Sequence, residues 1–154
     1  MKVMKQSSLA LACLGGLCLL PGVGAAGDAP ASKAQVVATV STFRNKSGFL
    51  GCRLYKSPAG FPERSKGTIE RRVPIGGGLV SCTFEDLDPG TYAVSVLHDE
   101  NGNRRLDKNL FGIPIEGYGV SNNHTHAFSP PTWDDSKFVV SSGKKVSLAI
   151  QLRY

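Results

Sequence analysis

The stretch His98–Asn109, HDENGNRRLDKN, sets oxygen-bearing side chains at Asp99, Asn101, Asn103 and Asp107. Alternating oxygens in a tight loop can converge on a hard cation, and calcium takes such ligands at about 2.3–2.6 Å. With Asp99 as place 1, the side-chain oxygens fall at places 1, 3, 5 and 9, and the Arg105 carbonyl is available at place 7. Leu106, at place 8, is the apolar plug that such loops use. Two departures weaken the pattern: place 6 is Arg104 rather than glycine, and place 12 is not glutamate. Only Asp99 and Asp107 carry charge, so weak affinity is expected unless Glu116 joins. The plainer expectation is a polar loop closed by its own Asx turns, because Asn and Asp bond their own backbone and tolerate left-handed φ.

Other chemistry in the neighbourhood is thinner. His124 and His126 form an H-x-H pair, but a zinc site wants a third protein ligand, and His98 is the only other histidine. No G-x-S-x-G occurs, and Ser121 lies near His124 only in sequence. Glu116 and Asp99 could act as paired carboxylates if they came together. These residues define the alternative reading, a hydrolase-type enzyme using carboxylate and histidine groups. No catalytic residue is assigned, and a non-enzymatic role is favoured. Tyr118 and Asn122 complete the loop candidates. The aromatics Phe111, Tyr118, Phe128 and Trp133 either meet a partner or fold back as a satellite core, and the second is expected.

These residues need elements to hold them. The first 25 residues are not part of a fold. MKVMKQ supplies two lysines, SSLALACLGGLCLL an apolar run, and PGVGAAG small residues for cleavage after Ala25. That is a signal peptide, and the apolar run falls short of the roughly 20 residues that span a bilayer. Export to the periplasm or the extracellular space follows. No second apolar segment exists, so no transmembrane span is expected in the mature chain. Removing Lys2 and Lys5 leaves 16 basic and 12 acidic residues, a net charge of +4 rather than +6. The basic residues are dispersed, so nucleic acid is a poor partner. An anionic envelope surface or a surface partner is compatible with the charge.

Residues 26–33 read as a flexible lead-in, and residues 34–154 as a single domain. Seven strands are predicted over 34–43, 49–57, 68–75, 79–87, 91–99, 137–142 and 145–154. Each carries β-branched or alternating apolar residues, and Gly, Pro and Asn turns separate them. Pro74 marks the third as an edge strand or a strand end. Short strands at this spacing predict an all-β, antiparallel β-sandwich with Greek-key connections, immunoglobulin-like or transthyretin-like. A β-barrel is the alternative. Cys52 shares its face with Leu50 and Leu54, and Cys82 with Val80 and Phe84. Both should point inward, and in an oxidising compartment they should form a disulfide. Tyr92, after the Asp88-Pro89-Gly90 turn, sits as a corner tyrosine does. One long irregular segment, from Asp99 to Ser136, has no clear strand. Long connections of this kind are often functional, so the loop 98–133 is the expected functional face.

Several pieces together carry a family resemblance: L-x-P-G-x-Y-A at residues 87–93, the HDENGN-x-x-LD loop, and GIP-x-EGYG-x-SN at residues 112–122. LYKSPAGFP upstream and KVSLAIQLRY at the end fit as well. The chain resembles the bacterial family called domain of unknown function 2141. The resemblance implies an exported, single-domain bacterial β-protein whose activity is unassigned, and it carries over no catalytic residues. The function expected is a binding or structural module of the envelope, its loop possible to order with calcium.

Overall fold

The computed structural model describes residues 32–154 except 125, 127 and 128. The segment read as a signal peptide and most of the lead-in therefore lie outside the described residues. Among the described residues, no helix is long and apolar enough to cross a membrane.

All seven predicted strands are present: β1 (Ala34–Val40), β2 (Phe49–Tyr55), β3 (Ile69–Pro74), β4 (Val80–Leu87), β5 (Gly90–Asp99), β7 (Phe138–Val140) and β8 (Lys145–Ile150). An eighth, β6 (Gly117–Val120), lies inside the segment expected to have none. A single helical turn, α1 (Trp133–Ser136), also lies there, with the Thr132 hydroxyl accepting from the Asp135 amide as its cap.

The strands form two sheets. One has the order β4-β1-β8, the other β3-β2-β5-β6, with β7 also paired to β5. Strands β6 and β7 share one edge of β5 end to end, at residues 95–98 and 90–92. The edge position expected from Pro74 is where β3 sits. The architecture is the expected all-β sandwich, with one departure from an antiparallel plan: β1 and β8 run parallel, Val36 beside Val146 through Val40 beside Ile150. A parallel pair needs a long crossover. Here the whole second sheet supplies it, so no local signal announced it.

Alternation decides the inner faces. Val36, Ala38 and Val40 of β1, Leu50 and Leu54 of β2, and Phe84 of β4 are fully buried. Burying a side chain such as Phe84 contributes about 1.5–3 kcal/mol. Cys52 and Cys82 meet in this core as predicted, bonded across the two sheets with a Cα–Cα separation of 6.3 Å. The Asp88–Pro89 turn carries the chain from one sheet to the other. There Tyr92 is buried, and its hydroxyl donates to the Asp88 carbonyl at 2.8 Å.

The chain after β8 makes a second crossing. Tyr118 and Arg153 exchange both backbone hydrogen bonds, at 2.9 and 2.8 Å, so residues 151–154 close the free edge of β6. Gly117 and Gly119 make this approach possible. A Cβ on Gly119 would lie 2.5 Å from the Gln151 carbonyl oxygen, and one on Gly117 would lie 2.5 Å from the Tyr154 ring.

The disulfide closes a 30-residue separation. Its removal by paired Cys52→Ala and Cys82→Ala substitutions should lower stability by roughly 3–4 kcal/mol in the chain-entropy picture. Urea melts of the two proteins measure this, and an unchanged midpoint would contradict it.

Candidate functional site

Strand β5 separates two environments. Antiparallel register puts His98, Val96 and Val94 on the inner face, opposite Leu50, Cys52 and Leu54. Asp99, Leu97, Ser95 and Ala93 point to the outer face. His98 is completely buried. Its Nε2 donates to the Ser47 carbonyl at 2.9 Å, and its Nδ1 contacts the Tyr154 hydroxyl at 2.8 Å. A carbonyl can only accept, so a proton must sit on Nε2. His98 is therefore on the core side of the sheet. His126 lines the outer face, 2.8 Å from Asp135 Oδ2, and His124 is exposed. The Thr132 hydroxyl and the His126 ring hold the Asp135 carboxyl below its ordinary range. The structure does not bring the three histidines together.

The loop that opened the sequence question is ordered by its own groups. Asp99 is buried, and its Oδ2 accepts from Arg72 Nη2 at 3.0 Å and from the Arg104 amide at 3.1 Å. Arg72 in turn stacks on the Phe49 ring, 3.5 Å from its centroid. Arg104 has φ +66°, so it adopts at place 6 the left-handed conformation that glycine would have supplied. Asn101 and Asn103 form two Asx turns, accepting from the amides of Asn103 and Arg105 at 3.0 and 2.8 Å. Both side-chain amides donate to the Asp107 carboxylate, at distances of 2.6–3.0 Å. Arg105 itself projects into solvent. One oxygen, Asp99 Oδ1, is buried without a hydrogen-bond partner among the described residues.

Glu116 is the clamp of this loop. It is buried, and its two oxygens accept from the backbone amides of Glu100 at 2.9 Å and Asp107 at 3.1 Å. It ties the start of the loop to its end. Ser121 is also committed, because its hydroxyl accepts from the Val94 amide and donates to the Ser136 carbonyl. Asn122, at φ +64°, donates to the carbonyls of Asp135 and Lys137, joining the segment before α1 to the one after it.

The expected satellite core exists in part. Trp133 packs edge-on against Phe61, which packs edge-on against Tyr55. Tyr118 is half-buried on the outer face. Phe128 lies outside the described residues. Phe111 departs from the expectation: it is 86% exposed and stands at the border of a groove on the outer face.

The outer face was not singled out by sequence. Arg53, Ser95, Leu97 and Tyr118 form the floor of an open groove of about 1290 Å³. One wall is the 60–64 loop, held by the Tyr55 hydroxyl donating to the Pro62 carbonyl at 2.6 Å. Burial raises the Tyr55 hydroxyl above its ordinary range, which keeps it a donor. Residues 103–106, Lys108 and residues 111–114 form another wall and 129–131 a third. Five cationic side chains line the groove, Arg53, Arg64, Arg104, Arg105 and Lys108, against one acid, Glu63. Glu70 beside it bridges Arg53 and Arg64 at 3.3 and 2.9 Å. Among the described residues, Arg104 and Arg105 form no ion pair. The only signal in the sequence was the outward phase of Arg53, Ser95 and Leu97, which periodicity alone assigns to solvent.

The fold is a disulfide-tied, two-sheet sandwich with a loop-walled outer face. The chain belongs to the family described as "Uncharacterized protein conserved in bacteria (DUF2141)", whose family model matches residues 38–148. No curated protein and no solved structure matches the chain.

Glu100 supplies a pH-dependent prediction at this site. Burial pushes its carboxyl up, but hydrogen bonds from Arg44 Nε at 2.7 Å and Asn45 at 2.9 Å outweigh this and hold it below its ordinary 4.5. A depressed carboxyl contributes fully above its unfolded pKa, and the contribution is lost as the pH falls through the folded value. Arg44→Gln should therefore lower stability near neutrality and flatten the acid limb of the stability profile. Melts from pH 7 down to pH 2 test this, and parallel profiles for the two proteins would refute it.

Proposed function

We propose that this protein is an exported binding module of the cell envelope. Its ligand seat is the groove on the outer face of the larger sheet, and the ligand is an anion with an apolar portion. The observation that carries the reading is the lining: Leu97, Tyr118, Phe61 and Ile113 offer apolar surface, while Arg104 and Arg105 offer cations that form no ion pair among the described residues. Concave sites that mix apolar walls with a few charged groups are the usual form of small-ligand pockets. The N-terminal pattern supports export. So does the disulfide, since such bonds persist in oxidising compartments. A binding role is favoured over the hydrolase reading because two of the groups that would do the chemistry, Glu116 and Ser121, are otherwise engaged. Both Glu116 oxygens hold backbone amides, and the Ser121 hydroxyl is buried and bonded.

Calorimetric titration with decyl sulfate and decanoate, and with decanol as the uncharged control, tests the groove. Both anions should bind and decanol should bind weakly or not at all. Arg105→Glu and Tyr118→Ala should each weaken anion binding about tenfold, a change of roughly 1.4 kcal/mol. Absence of heat for both anions, or affinities unchanged in both variants, would refute the reading.

A second reading draws on Asp99 Oδ1, the buried oxygen without a partner. A calcium ion bound by Asp99, Asn101, Asn103, Asp107 and the Arg105 carbonyl would give that oxygen a partner. The left-handed Arg104 supports the reading, and the Arg72 guanidinium at 3.0 Å from Asp99 opposes it by charge. Under this reading, excess calcium raises the melting temperature relative to chelator, and Asp99→Asn or Asp107→Ala removes the rise. An unchanged melt in millimolar calcium would overturn it.

A further inference from the structure

Residues 108–115 form a structured tip that borders the groove on one side and leaves its apolar side chains largely exposed. Lys108 and Pro114 form a β-bridge, the Asn109 amide donates to the Ile113 carbonyl at 2.9 Å, and the Gly112 amide donates to the Asn109 carbonyl at 2.9 Å. The Asn109 side chain accepts from the amides of Phe111 at 2.9 Å and Ile113 at 3.0 Å. Polar groups thus hold the backbone in shape, while the apolar side chains point away. Leu110 is 102% exposed, Phe111 86%, Ile113 58% and Ile115 48%. An exposed apolar cluster on an ordered backbone marks an interaction surface.

We propose that this tip docks the protein on the surface of an anionic phospholipid bilayer. Leu110 and Phe111 enter the boundary between headgroups and acyl chains, and Arg104, Arg105 and Lys108 face the lipid phosphates. Two observations select this occupant. The first is charge: between Arg104 and Ile115 there are three cations, of which Lys108 lies 3.7 Å from Glu63, and one acid, Asp107, whose carboxylate already takes the amides of Asn101 and Asn103. Cations beside interfacial apolar groups are the combination that anionic membranes attract. The second is size. A stable protein interface engages roughly 20–30 residues a side. A projecting loop with four apolar side chains is far smaller, whereas shallow insertion into a bilayer needs only a few. The tip shares Arg104, Arg105 and Ile113 with the groove but not Leu110, so a Leu110→Ser protein that keeps anion binding and loses flotation separates the two readings.

Vesicle flotation tests it with residues 26–154, which contain every strand and the whole core found among the described residues. The protein should float with phosphatidylglycerol vesicles and stay behind with phosphatidylcholine vesicles. Leu110→Ser combined with Phe111→Ser should reduce flotation at least about tenfold without changing the melt, since both side chains are exposed. Arg104→Gln combined with Arg105→Gln should weaken flotation and lessen its loss at high salt. Failure to float with phosphatidylglycerol overturns the proposal. So does equal flotation with phosphatidylcholine, or flotation undiminished in the Leu110/Phe111 variant. Concentration-dependent self-association that the same variant abolishes, without vesicle binding, would assign the tip to a second copy of the chain instead.

Discussion

From Tyr92 to Asp99 every residue of strand β5 is buried, those facing outward as well as those facing the core. That double burial is the constraint around which the molecule is built. The inner face is satisfied by the other sheet through the disulfide-tied core. The outer face carries Ala93, Ser95, Leu97 and Asp99, and it needs a second cover. The fold supplies one from irregular chain: the loop after β2, the loop after β5, and the segment leading into α1. Loops cover a sheet less closely than another sheet does, because their backbone polar groups must also find partners. The gap left between them is the groove. Structural necessity and the candidate site therefore share one origin, the covering of a central strand by segments that cannot seal it.

The same constraint explains the polar network at the end of β5. Asp99 is an outward residue that became buried, so its charge had to be met. Arg72 from the edge strand β3, reaching across β2, and the Arg104 amide meet one oxygen. Glu116 then pins both ends of the following loop by their amides. Such a network is costly when any member is missing, because each donor or acceptor left behind is buried. The tip beyond the clamp is freed of structural duty, and its apolar residues are turned outward.

Sequence made the inner half of this molecule readable and the outer half opaque. Period-two alternation marks β2, β4, β5 and β8, and by itself it turns Cys52 and Cys82 inward. The edge role of β3 was readable from Pro74. Strand β6 was missed because it is four residues long and two are glycines, which erase the alternation. Those glycines are there for the chain that packs over them, a contact with no local trace. The parallel pairing of β1 with β8 was invisible for the same reason. At the site, the Asx-turn loop was legible because Asn101 and Asn103 bond within a few residues. The groove was not, because Arg53, Phe61 and Tyr118 meet only through tertiary folding. Among the aromatics, the sequence could not tell Trp133, which folds back, from Phe111, which does not. That difference lies in the Asn109 turn rather than in the aromatic residues.

The parallel pairing also bears on how the chain reaches its native state. Val36 pairs with Val146 and Val40 with Ile150, so the smaller sheet unites segments about 110 residues apart. Contacts of such long range are slow to form, because most of the chain must be ordered before they give any stability. Strands β1 and β4 can pair earlier, but the core beneath them stays open on one side until β8 arrives. The last residues then complete two closures at once, the smaller sheet through β8 and the edge of β6 through Arg153. Residues 145–154 thus guard two exposed flanks at once, that of β1 and that of β6, the places where a foreign strand could otherwise add to the sheets.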